Sequence, residues 1–490
     1  MKVSICFLKK LQVENLLSDY SKKLSVIILA AGKGKRMKSE IPKVLHSICY
    51  QPILYYILSS VTRINPKNIF VVVGYKKELV EEYLKNNFPG VTPLSQENQL
   101  GTAHAVMAAQ GYLKEFGSET LILPGDIPMI TADTLSGILA KKAASNSDGM
   151  ILTALLEDPT GYGRVIKKKN GNILKIVEDA DATPEERKIK EINTSIYCFN
   201  TKILFENLKK ISSENSQNEF YLTDIIENLV KNNLKVTNFS IADSLEVEGI
   251  NDRIQLAKME KLMQQKINFN LMASGVTIRN PQSCLIGANV QIERDTTIEP
   301  CCFIKGETFI GNNCVIGPFT QLEDCRISSG TRINASVVIG SEIGSHNNIG
   351  PYSYIRPGTV TSENVKIGAF CEVKKSRISS RSKVPHLSYI GDTEIGKDVN
   401  VGASTVTCNY DGFTKNKTII ENGVFIGSDT MLVAPVKIGH GAITAAGSVI
   451  TEDVPPDNLA VARQKQVNIK NGAAKFREKK EKNNKEKEGD

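Results

Sequence analysis

Three groups of residues in this chain have types and spacings that can do chemistry. The first is Ala30-Ala31-Gly32-Lys33-Gly34-Lys35-Arg36, directly behind the apolar run Ser25 to Leu29. A small-residue loop after a buried strand lets backbone N–H groups approach phosphate, and the basic side chains add charge. The loop does not end in Gly-Lys-Ser/Thr and lacks the third glycine of the dinucleotide fingerprint. Taken alone it is as readily a plain turn. Lys43, behind Pro42, is either a solvent-facing charge or a counter-charge for a nucleotide or sugar phosphate. The second group centres on Asp126 in Pro124-Gly125-Asp126, at the carboxyl end of the run Thr120 to Leu123. Open α/β sheets bind ligands at that end. One carboxylate suits Mg²⁺, which takes waters and substrate phosphates as its other ligands; the alternative is a cap on the next helix. The third is His386, in a basic stretch from Lys374 to Tyr389 that follows Arg356. A neutral imidazole there can accept a proton from an amine that attacks an acyl carbonyl; otherwise it is a structural loop residue. The surrounding Lys and Arg favour an anionic small substrate.

The elements that must position these groups differ between the two halves of the chain. Ser25–Leu29, Ile69–Val73 and Thr120–Leu123 read as buried strands, and Lys77–Asn86 between them reads as a helix. This alternation predicts a parallel sheet with helices on its faces. Gly161-Tyr162-Gly163-Arg164, Glu178 and Asn193-Thr194 fall at strand-to-loop junctions, and Asn218–Asn232 has the spacing of an amphipathic helix. A helical segment to about Met272 follows Glu246–Arg253 as a rigid arm. From Leu285 to Val449 aliphatic residues return every six positions, as at Ile286, Ile292, Ile298, Ile304, Ile310, Ile316 and Leu322. That period fits neither a helix nor an alternating strand and is the signature of a parallel β-helix. Two interruptions are expected, Lys374–Tyr389 and an inserted loop Asn409–Lys417, where binding elements concentrate.

Composition excludes several classes. With 490 residues the chain exceeds one ordinary core, and 41% hydrophobic with 23% charged residues is a soluble composition. No run of about 18 apolar residues spans a membrane, and the first 23 residues lack the apolar stretch and cleavage site of a signal peptide. The net charge of +8 is not clustered with aromatics, so no nucleic-acid surface is expected. Ten cysteines without a C-x-x-C pair read as reduced thiols in a cytoplasmic protein. The tail from Lys475 alternates Lys with Glu and reads as solvated and disordered.

Taken together, LAAGKGKRM, IPKVLH, QLGTAHA, GDIP, DPTGYGR, IVED, EINT, EVEGIND, RPG, PHLSYIGD, NVGASTVTCNYDG and GSDTMLVAP, in this order from about Leu24 to Arg463, resemble the bacterial family of bifunctional N-acetylglucosamine-1-phosphate uridyltransferases/glucosamine-1-phosphate acetyltransferases. The resemblance implies a Rossmann-like α/β nucleotidyltransferase domain followed by a left-handed parallel β-helix that trimerises. The chain then divides into an extension (1–23), a uridyltransferase domain (24–252), a helical linker (253–274), an acetyltransferase β-helix (275–464) and a charged tail (465–490). By resemblance, Leu29, Ala30, Ala31 and Gly32 hold the uridine nucleotide, Arg36 and Lys43 face phosphate, and Gln96, Gly101 and Thr102 contact uracil and its neighbourhood. Asp126 and Asn251 ligate Mg²⁺, while Gly163, Glu178 and Asn193 hold the amino sugar. In the second domain, Arg356 and Lys374 hold the phosphate of glucosamine 1-phosphate, Tyr389 and Asn400 orient the sugar, and His386 is the general base. Ala403, Asn409, Tyr410, Ser428, Ala446 and Arg463 correspond to acetyl-CoA-binding positions, in pockets shared between chains of a homotrimer. UTP and acetyl-CoA are the implied co-substrates, in the biosynthesis of UDP-N-acetylglucosamine. Lys35, Ala103, Pro124 and Pro385 depart from residues common in the family.

Two rivals share such an architecture: a sugar nucleotidyltransferase with a degenerate β-helix, and a non-catalytic subunit like those of translation-factor exchange complexes. A scaffold has no need to keep Arg36, Lys43, Asp126 and Asn251 together, nor His386 with Arg356 and Lys374. The complete PHLSY and NYDG segments weaken the first rival.

Overall fold

The computed structural model describes residues 20–487, so most of the expected extension lies outside the described residues. The chain forms two compact units that divide between Ile267 and Asn268.

The first unit is built on one sheet: β1 (Leu24–Leu29), β2 (Asn68–Val73), β3 (Val91–Ser95), β4 (Glu119–Pro124), β5 (Gly149–Leu155), β6 (Arg164–Lys167), β7 (Ile173–Val177), β8 (Glu191–Asn200) and β9 (Val236–Ile241). The main path runs β9-β5-β8-β4-β1-β2-β3, and β6 pairs with β8 and β7. Strands β1, β2, β3 and β4 are parallel. Their aliphatic residues, such as Val26, Ile27 and Ile28, are wholly buried, as strands covered on both faces must be. Helices α1 (Ile53–Arg63), α2 (Lys77–Asn87), α3 (Thr102–Met107), α4 (Ala132–Ser145), α5 (Thr201–Leu208) and α6 (Asp224–Lys231) complete the unit's main elements.

The unit differs from the expected one in two respects. The sheet is mixed rather than parallel throughout. Strand β8 runs antiparallel to β4 and β5, because the chain enters it from the antiparallel hairpin β6–β7 and not from a crossover helix. The helix expected over Asn218–Asn232 forms only from Asp224. Residues 220–222 instead bind the loop before α3: Phe220 N–H donates to the Leu100 carbonyl, Ala103 N–H to the Phe220 carbonyl, and Leu222 N–H to Thr102 Oγ1. Those backbone groups are therefore not free for a helical ladder.

In register, Leu29 of β1 lies opposite Pro124 of β4, which brings the basic loop beside Gly125-Asp126. Gly125 N–H donates to the Leu29 carbonyl at 2.8 Å. A Cβ at Gly125 would stand 2.7 Å from that oxygen, so only glycine permits the approach.

The second unit begins within α7 (Arg253–Ala273) and is a coil of short parallel strands on three faces, with sheets of 11, 10 and 9 strands. Strands a full coil apart pair directly, for example Thr297 with Val315 and Val315 with Arg332. Each face buries one column of side chains, one of them Ile298, Ile316, Ile333, Ile349 and Ile367, all fully buried. This is the left-handed β-helix, and the aliphatic positions of the six-residue period are its interior. A polar member of a column is satisfied from within: Thr361 Oγ1 accepts from Asn347 Nδ2 at 2.5 Å and from Gly344 N–H at 3.1 Å. Burial of each isoleucine contributes about 1.5–3 kcal/mol, so the unit is a stiff body.

The coil does not break at Lys374–Tyr389, contrary to expectation. Lys366 pairs with Lys383 and Glu372 with Tyr389, so the basic stretch is an ordinary coil whose outward positions carry charge. His386 ends a strand, Lys383–His386. Asn409–Lys417 is a true insertion between the strands Val406–Cys408 and Thr418–Ile420. The charged tail forms α8 (Gly472–Lys487), where a disordered segment was expected. Its Ala, Lys and Glu residues favour helix intrinsically, and the side chains from Lys475 to Asn484 are exposed.

Candidate active sites

In the first unit the carboxyl ends of β1 and β4 frame a cleft of 310 Å³. The residues expected to hold a nucleotide line it together: Leu29, Ala30, Ala31 and Gly32 from the loop, Lys43, and Gln96, Gly101 and Thr102 from the opposite wall. Gly32 faces open space, with nothing within 4 Å of a Cβ built there. Gln96 is buried and its amide Nε2 lies 3.3 Å from the Gly101 carbonyl and 3.0 Å from His104 Nδ1, which fixes the side chain.

Asp126 does not cap a helix; the N-cap of α4 is Thr131. Instead Lys43 Nζ donates to Asp126 Oδ2 at 2.5 Å and to Asn251 Oδ1 at 3.3 Å. The two oxygens from distant parts of the chain converge on one positive charge, and the ammonium stands where a cation would. These residues fit Mg²⁺, which asks of a protein only one or two oxygen ligands. No group of three or more His, Cys, Asp or Glu that could hold a metal occurs among the described residues. Arg36 is exposed on the short turn Lys35–Met37 and does not line the cleft.

An adjoining cavity of 420 Å³ is lined by Glu178, Tyr221 and Thr223. Of Gly163, Glu178 and Asn193 only Glu178 lines this cavity, but the three lie together: a Cβ on Gly163 would be 3.3 Å from Glu178 Oε2 and 3.6 Å from Asn193 Cβ. Asn193 Nδ2 donates to the Tyr197 hydroxyl at 2.6 Å, and Thr223 Oγ1 donates to Glu178 Oε1 at 3.0 Å. Burial pushes the Glu178 carboxyl up, while the Thr223 hydrogen bond favours its anion. A larger cavity of 480 Å³ lies at Leu113, Phe205 and Lys209, and none of the expected residues lines it.

In the second unit the register places His386 at the head of a column. Lys383 pairs with Asn400, Asn400 with Phe425 and Phe425 with Ile443. Three residues beyond each of these paired positions, at the end of the strand for His386 and in the following turn for Ala403, Ser428 and Ala446, the four side chains therefore fall at equivalent places on successive coils. At about 4.8 Å per coil the column runs roughly 14 Å. Its small members leave room for an elongated ligand leading to the imidazole. His386 is exposed. Arg463 passes the end of the column, its Cδ 3.9 Å from a Cβ built on Gly447.

The residues expected to bind phosphate lie one face away. Arg356 pairs with Glu372 at 2.8 Å. Lys374 lies beside Lys415 of the inserted loop, and the Lys374 ammonium pushes Lys415 down. Asp392 opposes that shift. The Tyr389 hydroxyl and Asn409 Nδ2 come together over Gly391, where a Cβ would meet them at 2.6 and 2.7 Å. Asn409 Nδ2 donates to Asp392 Oδ2 at 2.5 Å. The insertion is held by Asp411, whose carboxylate accepts from Phe413 N–H, Thr414 N–H and Asn416 Nδ2 and is thereby kept well below the usual range.

Lys415 was not singled out from the sequence, although it is a basic residue in a loop that was. On the substrates that the resemblance implies, replacing it with Ala is expected to raise KM for glucosamine 1-phosphate about tenfold and to leave KM for acetyl-CoA unchanged. Initial rates of CoA release against each substrate check this.

Residues 25–244 match the family model of nucleotidyl transferases, 285–366 that of the GMPPB C-terminal domain, and 417–452 that of the bacterial transferase hexapeptide. The chain is 47% identical over 442 residues to the bifunctional protein GlmU of Carboxydothermus hydrogenoformans, covering 90% of this chain and 98% of that one. It is 46% identical over 445 residues to the same protein of a Geobacillus species and 48% identical over 445 residues to that of Thermoanaerobacter pseudethanolicus. Each match covers 91% of this chain and 96% of the relative.

Proposed function

We infer, since this chain belongs to the family of bifunctional GlmU proteins, that it makes UDP-N-acetylglucosamine in two steps at two sites. The second unit transfers acetyl from acetyl-CoA to glucosamine 1-phosphate. The first then transfers uridylyl from UTP to N-acetylglucosamine 1-phosphate and releases pyrophosphate. The observation that carries the reading is the presence, in one chain, of the Lys43–Asp126–Asn251 cluster on the wall of a cleft lined by the basic-loop residues and of His386 at the head of a column of small residues.

Uridylyl transfer needs no protein nucleophile. The sugar phosphate attacks the α-phosphorus, and the protein aligns the reactants and offsets developing negative charge. Lys43 supplies a cation on the cleft wall, and Arg36, on the exposed turn outside that wall, supplies a second. Asp126 and Asn251 would hold Mg²⁺, which when bound adds charge neutralisation at the phosphates. The loop Leu29–Gly32 with Gln96, Gly101 and Thr102 holds the nucleotide. Gly163, Glu178 and Asn193 hold the amino sugar.

For acetyl transfer, Arg356, Lys374 and Lys415 bind the phosphate of glucosamine 1-phosphate, while Tyr389 and Asn400 orient the ring. His386 removes the proton as the amine attacks the thioester carbon, since an ammonium has no lone pair to offer. Ala403, Asn409, Tyr410, Ser428, Ala446 and Arg463 hold acetyl-CoA.

A homotrimer with shared acetyl-transfer pockets fits an exposed apolar column at one corner of the coil, Phe319, Tyr352, Phe370 and Leu387, each more than half exposed. Apolar surface of that continuity marks an interface. A cytoplasmic location agrees with nine unpaired cysteines among the described residues. No helix among those residues is long and apolar enough to cross a membrane.

Purified protein given glucosamine 1-phosphate, acetyl-CoA, UTP and Mg²⁺ should release both CoA and pyrophosphate. Pyrophosphate from added N-acetylglucosamine 1-phosphate without CoA release from glucosamine 1-phosphate would remove the acetyltransferase half of the reading.

A further inference from the structure

Strand β8 carries an irregularity that the roles assigned above do not use. Its register against β5 shifts between Asn193 and Tyr197. Within the shift Ser195 adopts φ 60°, a left-handed conformation that disfavours any residue with a Cβ. Its neighbours Asn193, Thr194, Ile196 and Tyr197 are buried, whereas Ser195 is exposed. The strain is held in place by the Asn193 side chain, whose Oδ1 accepts from Ser195 N–H at 3.2 Å. A non-glycine residue kept in such a conformation at a ligand cavity points to a use for its side chain.

The position of Ser195 indicates that use. It lines both the nucleotide cleft and the sugar cavity, as do Leu29, Thr102 and Glu219. Leu29 is apolar and the Glu219 carboxylate repels phosphate, which leaves two hydroxyls at the junction, Ser195 and Thr102, the latter also accepting from Leu222 N–H. A sugar 1-phosphate that reaches from the Glu178 side to the Lys43 side must cross this junction. Its phosphate oxygens require hydrogen-bond donors there.

We propose that Ser195 binds the sugar 1-phosphate acceptor, its hydroxyl donating to a phosphate oxygen where the two cavities meet. This rests on the uridylyl-transfer reading. The bulge thus sets Asn193 and Ser195 as one unit, the first against the sugar and the second against its phosphate. Ser195 bears on the acceptor and not on UTP.

The test compares Ser195→Gly, which removes the hydroxyl and suits φ 60°, with Ser195→Ala, which removes the hydroxyl and keeps the Cβ. Both should raise KM for N-acetylglucosamine 1-phosphate about tenfold and leave KM for UTP unchanged. The thermal unfolding midpoint of Ser195→Gly should not fall, which separates binding from a merely structural role. An unchanged KM for the sugar phosphate in either variant, or a parallel rise in KM for UTP, overturns the proposal. Absence of uridylyl transfer in the unaltered protein would instead overturn the functional reading on which it rests.

Discussion

Replacing His386 with Ala is expected to lower CoA release from acetyl-CoA and glucosamine 1-phosphate by about 10²–10⁴-fold, with pyrophosphate release from UTP and N-acetylglucosamine 1-phosphate unchanged. The size follows from the chemistry. Without a base the attacking amine must lose its proton to water, in a reaction whose nucleophile is otherwise held in place. The selectivity follows from the fold. His386 ends a two-faced strand position, its side chain exposed, while the aliphatic column beneath it is carried by Val384 and its stacked neighbours. Removing an outward imidazole leaves that column intact, so unfolding by denaturant should keep its midpoint. Loss of both activities in a folded protein would show that the two reactions do not use separate sites.

The second large effect is at Asp126. Asp126→Ala should reduce uridylyl transfer about 10³-fold and spare acetyl transfer. Two losses combine. The cleft loses an oxygen that would ligate Mg²⁺, and Lys43 Nζ is left with only Asn251 Oδ1, at 3.3 Å, of its two partners. An ammonium in a partly buried site without its carboxylate also costs stability, on the order of 1–3 kcal/mol. Asp126→Asn keeps the size and one oxygen but not the charge, so it separates these effects. It should fold as the parent does and need a higher Mg²⁺ concentration for half-maximal pyrophosphate release. The same Mg²⁺ dependence in parent and Asp126→Asn would show that the carboxylate is not a metal ligand.

Much of this was legible from residue order because the physics involved is local. The six-residue aliphatic period is read directly because each coil buries one side chain per face, and Ile298, Ile316 and Ile333 can point nowhere else. The strand run SVIIL was legible for the same reason. The reversal of β8 was not, because Glu191–Asn200 has the composition of any buried strand, and its direction is set by the hairpin before it. The sequence of Asn218–Asn232 suggests a longer helix than forms because Leu222 fits a helical face. The backbone of that stretch is instead committed to the loop around Thr102.

The sites show the same division. The loop Leu29–Gly32 and Asp126 could be placed at the ends of strands from sequence, but their meeting with Asn251, which is 125 residues further on, is a tertiary fact. Lys374–Tyr389 looked like a break because charge occupies its outward positions; the inward ones, Ile378, Val384 and Ile390, keep the coil running. Lys415 and Ser195 escaped notice for different reasons. A lysine in a loop carries no signal until its neighbour is known, and a positive φ at serine is invisible in sequence.

The central claim is that one chain holds two independent sites, joined only by a diffusing intermediate. The most direct measurement uses His386→Ala and Asp126→Ala proteins, purified separately, with glucosamine 1-phosphate, acetyl-CoA, UTP and Mg²⁺. Alone, the Asp126→Ala protein should accumulate N-acetylglucosamine 1-phosphate, and the His386→Ala protein should leave glucosamine 1-phosphate unchanged. Mixed, they should form UDP-N-acetylglucosamine with release of CoA and pyrophosphate. No product from the mixture, with both proteins folded, would contradict the account.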